Sequence, residues 1–251
     1  MLGNIITDVW PDESKMPGFQ KAAKNMGILM REVATLLSKH IDIYVEQRNV
    51  SYKKKFLYNL LKDTEKVKSR LLYYFPLEED QIKSQPNDDA KASFNSAEVD
   101  DSWIGWHNDS GFLTALAGEM YINDDTGTIL EESPDPNAGL YVINRSGQAI
   151  PIKIPFDCMA IQLGECVQII TGGDLIATPH CVRGVCSSRN SRGSNQTRIA
   201  RISHVCFIDT VPTFPLFMPD SVDRESVLNK GVESDRIPSL GNRWVEVSFY
   251  G

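Results

Sequence analysis

Long apolar runs, paired cysteines and an excess of basic residues are all missing from this 251-residue sequence. Without a stretch of about 18 apolar residues, no helix is expected to span a bilayer. The opening MLGNIITDVWPDESK lacks a basic segment followed by an apolar run, so no signal peptide is expected and the default location is cytoplasmic. Cys158, Cys166, Cys181, Cys186 and Cys206 make an odd count with no C-x-x-C spacing. That excludes a regular disulfide framework and a cysteine-based zinc site, and fits a reducing compartment. Basic residues number 26 against 33 acidic ones, a net charge of −7. Such a chain is a poor partner for nucleic acid or an anionic membrane, both of which need clustered Lys and Arg. Histidine is scarce as well, with only His40, His107, His180 and His204.

What is present has the balance of a soluble globular protein, 41% hydrophobic and 24% charged, with length for one large domain or two small ones. Residues 17–46 predict an amphipathic helix. Phe19, Ala22, Ala23, Met26, Leu29, Met30, Val33, Leu36 and Leu37 recur at spacings of three and four, and Pro17 suits a first turn. Residues 51–67 repeat the pattern through Phe56, Leu57, Leu60 and Leu61, with Ser51 as N-cap. Residues 70–75, RLLYYF, read as a strand stopped by Pro76.

Residues 77–101 are polar and charged and read as a loop. Short strand candidates follow at 102–109, 139–144, 149–154, 158–164, 175–184 and 198–209, punctuated by Gly147, Gly164 and Gly172-Gly173. Residues 122–137 and 187–196 read as surface insertions, the second a solvated loop despite its arginines. Two helices followed by many short strands predict a mainly β fold with flanking helices, a β-sandwich or jelly roll.

The scarce histidines carry the chemistry. His107 and Asp109 lie two residues apart in Trp103-Ile-Gly-Trp-His-Asn-Asp109, and residues i and i+2 of a strand share a face. An imidazole and a carboxylate so placed are one ligand short of the two-His, one-carboxylate facial triad, which leaves three metal positions open and suits Fe(II). The third ligand is expected from a distant strand. His180, closing Leu175-Ile-Ala-Thr-Pro-His180, is the best candidate. His40 falls in the first helix and reads as a partly buried structural residue. His204, flanked two residues away by Ile202 and Cys206, reads as core.

These residues resemble the 2-oxoglutarate/Fe(II)-dependent dioxygenases, in the branch with the plant hormone and flavonoid oxygenases and isopenicillin N synthase. Three blocks carry the likeness. His107-Asn-Asp109 with Ser-Gly-Phe-Leu-Thr114 is similar to the family's H-x-D and "LT" signature. Gly139-Leu-Tyr-Val142, Gln162-Leu-Gly-Glu165 and His180-Cys-Val182 resemble its "GL-x-V", "N-x-G-D" and "H-R-V" segments. Arg201-Ile-Ser203 resembles its R-x-S strand. The resemblance implies a double-stranded β-helix (jelly-roll) core. It puts His107, Asp109 and His180 at the iron-ligand positions, which are also the catalytic ones. Arg201 and Ser203 take the positions that hold the distal carboxylate of 2-oxoglutarate. The chemistry agrees, since a guanidinium forks onto a carboxylate and a hydroxyl on the same strand face adds a donor. Tyr74, in Leu72-Tyr-Tyr-Phe-Pro76, matches the tyrosine of "N-Y-Y-P-P" as a further co-substrate contact, with a core aromatic as the alternative.

The expected organisation is supporting helices over 1–67, the oxygenase core over 68–215 and an extension packed on that core over 216–251. Members of the family continue beyond both ends of this sequence, and the 187–196 loop lengthens the interval between His180 and Arg201. The expected cofactors are Fe(II), 2-oxoglutarate as co-substrate and O2. The expected partner is a small-molecule substrate, acted on by a monomer. Two alternatives stand beside this. One is an isopenicillin N synthase-like oxidase whose Arg201 and Ser203 bind a substrate carboxylate. The other is a catalytically inactive jelly-roll binding protein.

Overall fold

A computed structural model of the protein describes residues 10–78, 102–155, 157–186, 197–231 and 237–243. The 187–196 loop, and the 77–101 loop beyond its first two residues, lie outside them. Helix α1 (Phe19–Glu46) and the short α2 (Phe56–Leu61) precede the strands. In chain order come β1 (Val67–Tyr74), β2 (Ile104–His107), β3 (Leu113–Asn123), β4 (Ile129–Leu130), β5 (Gly139–Ile143), β6 (Ala149–Ile152) and β7 (Met159–Leu163). Helix α3 (Glu165–Ile170), β8 (His180–Arg183), β9 (Ile199–Ile208), α4 (Arg224–Leu228) and α5 (Leu240–Arg243) complete the set.

The strands form two antiparallel sheets. The major sheet runs β1-β9-β3, with β4 and β7 both paired to β3; the minor sheet runs β2-β8-β5-β6. Tyr74, Leu140 and Val182, with Leu72, Ile104 and Leu116, form an apolar cluster drawing on both sheets. This is the mainly β, jelly-roll architecture that the strand pattern predicts. On the major sheet's outer face, Met30, Ala34, Ile41 and Val45 of α1 pack with Leu57 and Leu61 of α2 against Leu113, Ala115 and Cys206. Complete burial of Leu57 and Leu61 contributes about 1.5–3 kcal/mol each. No helix among the described residues is long and apolar enough to cross a membrane.

Several expectations are corrected. Leu29 and Leu36 are exposed, because the buried stripe of α1 runs Met30, Ala34, Ser38, Ile41 and Val45. Helix α1 starts at Phe19 after Gly18, whose φ of 76° breaks the turn, so Pro17 stands outside it. Ser51 caps nothing. Helix α2 starts at Phe56, and its first amides donate to Asp42 of α1, Leu57 N to Oδ1 and Tyr58 N to Oδ2, both at 2.9 Å. The cap is a buried carboxylate supplied across a tertiary contact.

Strand β8 covers only the end of the 175–184 candidate, where Pro179 offers a carbonyl to Ile143 but no N–H. The 122–137 insertion begins inside β3 and carries β4, paired Tyr121–Leu130 and Ile122–Ile129. His40 is exposed. His204 is half-buried on the outer face of β9, bonded at 2.6 Å to Ser69 of β1, and not in the core.

Candidate active site

Register places the histidines. β2 and β8 are antiparallel neighbours with His107 directly opposite His180, and their ring centroids lie 4.1 Å apart. His107 Nδ1 meets the Gly105 carbonyl at 2.8 Å and His180 Nδ1 meets that of Thr178 at 3.0 Å. A carbonyl can only accept, so each Nδ1 carries the proton and each Nε2 presents a lone pair. Such outer bonds orient metal-binding imidazoles.

Asp109 lies past the end of β2, so strand alternation does not aim it. The loop is held instead by α3. Glu165 N donates to Asp109 O at 2.8 Å, Cys166 N to Gly111 O at 3.1 Å and Gly164 N to Phe112 O at 2.9 Å. Phe112 N donates to Asp209 at 3.0 Å. A Cβ at Gly164 would overlap the Gly111 carbonyl, so that approach needs glycine.

Asp109 Oδ1 stands 3.9 Å from both Nε2 atoms, and the three ligand atoms lie within 4.8 Å of one another. Asp109 Oδ2 is buried without a hydrogen-bond partner. Two imidazole lone pairs and the Asp109 Oδ1 facing one point fit a divalent cation, and the set has the composition of the facial triad suited to Fe(II). Burial and the neighbouring His107 hold the His180 imidazole below its ordinary pKa, against the pull of Asp109, which keeps it in the metal-binding neutral form.

The other end of the site belongs to the major sheet. Arg201 pairs with Tyr74 on β1 and Tyr121 on β3, and Ser203 with Leu72. Arg201 and Ser203 are buried. The Arg201 guanidinium lies 4.9 Å from the centroid of the Tyr74 ring, its Nε donates to Glu119 Oε2 at 3.1 Å, and its Nη1 is buried without a partner. One cavity of about 80 Å³ is lined by all six residues, His107, Asp109 and His180 with Tyr74, Arg201 and Ser203. Drug-sized ligand pockets hold about 300–1,000 Å³, so this space suits a compact group.

Sequence reasoning missed two polar residues here. Glu119 reaches Arg201 because of a bulge. The register of β3 on β9 slips between Ala117 and Met120, where Gly118 adopts φ 60°. Gln162, opposite Thr114, lines the same cavity with its amide nitrogen buried and unpartnered. Gln162 falls in the Gln162-Leu-Gly-Glu165 segment but carried no assigned role there, and Glu119 depends on a bulge that is not visible in one sequence.

No protein-family model matches the sequence, and no curated protein does. Solved structures do match in fold. One, described as a 2OG-Fe(II) oxygenase family protein from Caulobacter crescentus, superposes with a TM-score of 0.55 at 19% identity, over 88% of this chain and 56% of its own. The fold is that of the 2OG-Fe(II) oxygenases. Neurospora crassa T7H in complex with alpha-KG gives 0.52 at 17% identity, over 87% and 55%. An oxygenase from Shewanella oneidensis gives 0.50 at 19%, over 88% and 65%. The chain therefore spans between 55% and 65% of the length of these three.

Proposed function

We propose that this chain is an Fe(II)- and 2-oxoglutarate-dependent oxygenase acting on a small organic molecule, with His107, Asp109 and His180 as its iron ligands. One observation carries the reading. Three side chains able to ligate a metal and a buried arginine nitrogen without a hydrogen-bond partner line one compact cavity. A metal ion chelated by a short dicarboxylate engages both. With 2-oxoglutarate and O2, the iron supplies oxidative decarboxylation to succinate and CO2, coupled to hydroxylation or desaturation of the substrate.

The protein's own part is orientation. Arg201 Nη1 and the Ser203 hydroxyl hold the far carboxylate of 2-oxoglutarate, and the Tyr74 ring borders it. The walls formed by Leu72, Leu116, Leu140 and Val182 keep water from that end. T7H, which shares the fold, is known with alpha-KG and 5-formyluracil bound, in keeping with a small-molecule substrate. A net charge of −7 and five cysteines without a disulfide fit a protein of a reducing compartment such as the cytoplasm that does not engage nucleic acid. Residues 68–215 form the catalytic core in this reading.

The test is release of labelled CO2 from 2-oxoglutarate carrying the label at its first carbon, with Fe(II), O2 and a panel of small molecules. Stoichiometric succinate that disappears in His107→Ala supports the proposal. Iron binding without any consumption of 2-oxoglutarate sinks it in favour of the oxidase.

A further inference from the structure

The Glu119–Arg201 pair has no part in holding a metal, yet it sits where the co-substrate carboxylate would dock. Arg201 offers two hydrogen-bonding edges, one through Nε and one across the two terminal nitrogens. Glu119 Oε2 takes Nε at 3.1 Å, and the Tyr121 hydroxyl, 3.3 Å from the same oxygen, helps to hold it. The Tyr74 ring faces the guanidinium. Only the terminal edge is left, with Nη1 unpartnered on a side chain 6% exposed.

Glu119 is there because of Gly118. Before the bulge, even-numbered residues of β3 such as Thr114 and Leu116 line the cavity; after it, Tyr121 stands opposite the cavity-lining Arg201. The inserted residue reverses the parity of the strand. Without it, alternation from Leu116 would turn Glu119 to the outer face, beside α1.

Resting on the co-substrate reading above, we propose that Glu119 is a positioning residue. By occupying Nε it fixes the guanidinium plane and presents only the terminal edge, so that a single carboxylate docks end-on. The residue acts through the reach of its oxygen to Nε, not through its charge. A neutral acceptor of equal length therefore substitutes for it, and a shorter carboxylate does not.

Calorimetric titration of 2-oxoglutarate into the Mn(II)-loaded, oxygen-free protein tests this without turnover. Relative to wild type, Glu119→Asp, which withdraws the oxygen by one methylene, weakens 2-oxoglutarate binding about tenfold. Glu119→Gln, which keeps an acceptor at the same reach, stays within about threefold or binds more tightly. Both variants keep wild-type affinity for Mn(II), a readout that general unfolding would move. Unchanged binding in Glu119→Asp overturns the proposal, and so does a tenfold loss in Glu119→Gln, which would make charge the cause. Wild-type protein that binds Mn(II) but no 2-oxoglutarate overturns the co-substrate reading itself and the proposal with it, a result distinct from the other two.

Discussion

The two sheets equip the cavity in opposite ways. The minor sheet delivers His107 and His180 by plain cross-strand register, and with Asp109 they leave two lone pairs and a buried carboxylate oxygen unsatisfied. The major sheet delivers Arg201 already paired with Glu119 and facing Tyr74, with a single nitrogen unsatisfied. One end gathers acceptors and a negative charge. The other is close to electrically neutral and offers one directed edge. A metal end assembled this way gains its order on binding, whereas the arginine end is organised beforehand.

Substitutions can break this contrast. The largest effect is expected at the metal end. Asp109→Ala or His180→Ala should weaken Mn(II) binding by about a hundredfold or more and abolish turnover. Melting of the metal-free protein should fall little, or even rise for Asp109→Ala, since the unsatisfied carboxylate is removed. Calorimetry beside a melting curve reads both. A large loss of metal-free stability would erase the distinction between the ends.

Arg201→Ala should behave the other way round. It leaves Glu119 partly buried and unpaired, and should cost about 3 kcal/mol in denaturant unfolding. Mn(II) affinity should stay at the wild-type level. A stability loss near zero would mean that the pair is not organised in advance.

The loop that carries Asp109 sharpens the comparison. In Gly164→Ala the new Cβ meets the Gly111 carbonyl, so backbone must shift, at about 1–3 kcal/mol and with roughly tenfold weaker Mn(II) binding. Gly118→Ala has open space around it and suffers only from its left-handed backbone, about 1–2 kcal/mol. That substitution should weaken 2-oxoglutarate binding and spare the metal, so the pair of variants assigns each glycine to one end.

The smallest effect is on pH dependence. In the metal-free protein, burial holds His204 below its ordinary pKa, and burial with His107 does the same for His180. The unfolded chain then takes up protons first as pH falls. Stability present above the unfolded value of about 6.5 is lost as pH drops through the folded values. Melting temperatures measured from about pH 7 to about pH 5 should decline, and His204→Gln should flatten part of the slope. A rise in acid would contradict the burial of both rings.

Much of this was legible in advance where local pattern and tertiary need agree. The long helix, β1, β9 and the jelly-roll class followed from periodicity. β3 did not, because Leu-Thr-Ala-Leu-Ala-Gly-Glu is poor in β-formers and its alternation changes phase at the bulge. The start of α2 was misplaced because its cap, Asp42, stands 15 residues away.

By itself the sequence determined which groups were on offer: four histidines with two H-x-D pairs, His40-Ile-Asp42 in the predicted first helix and His107-Asn-Asp109 on a predicted strand, and an R-x-S pair, Arg201-Ile-Ser203, on another strand. Only the tertiary structure decided how those groups are aimed. Strand register set His107 opposite His180, α3 pinned the Asp109 loop, and a one-residue slip turned Glu119 inward. Residue type is a local property, but direction depends on partners far along the chain, and hydrogen-bond register and packing choose those partners.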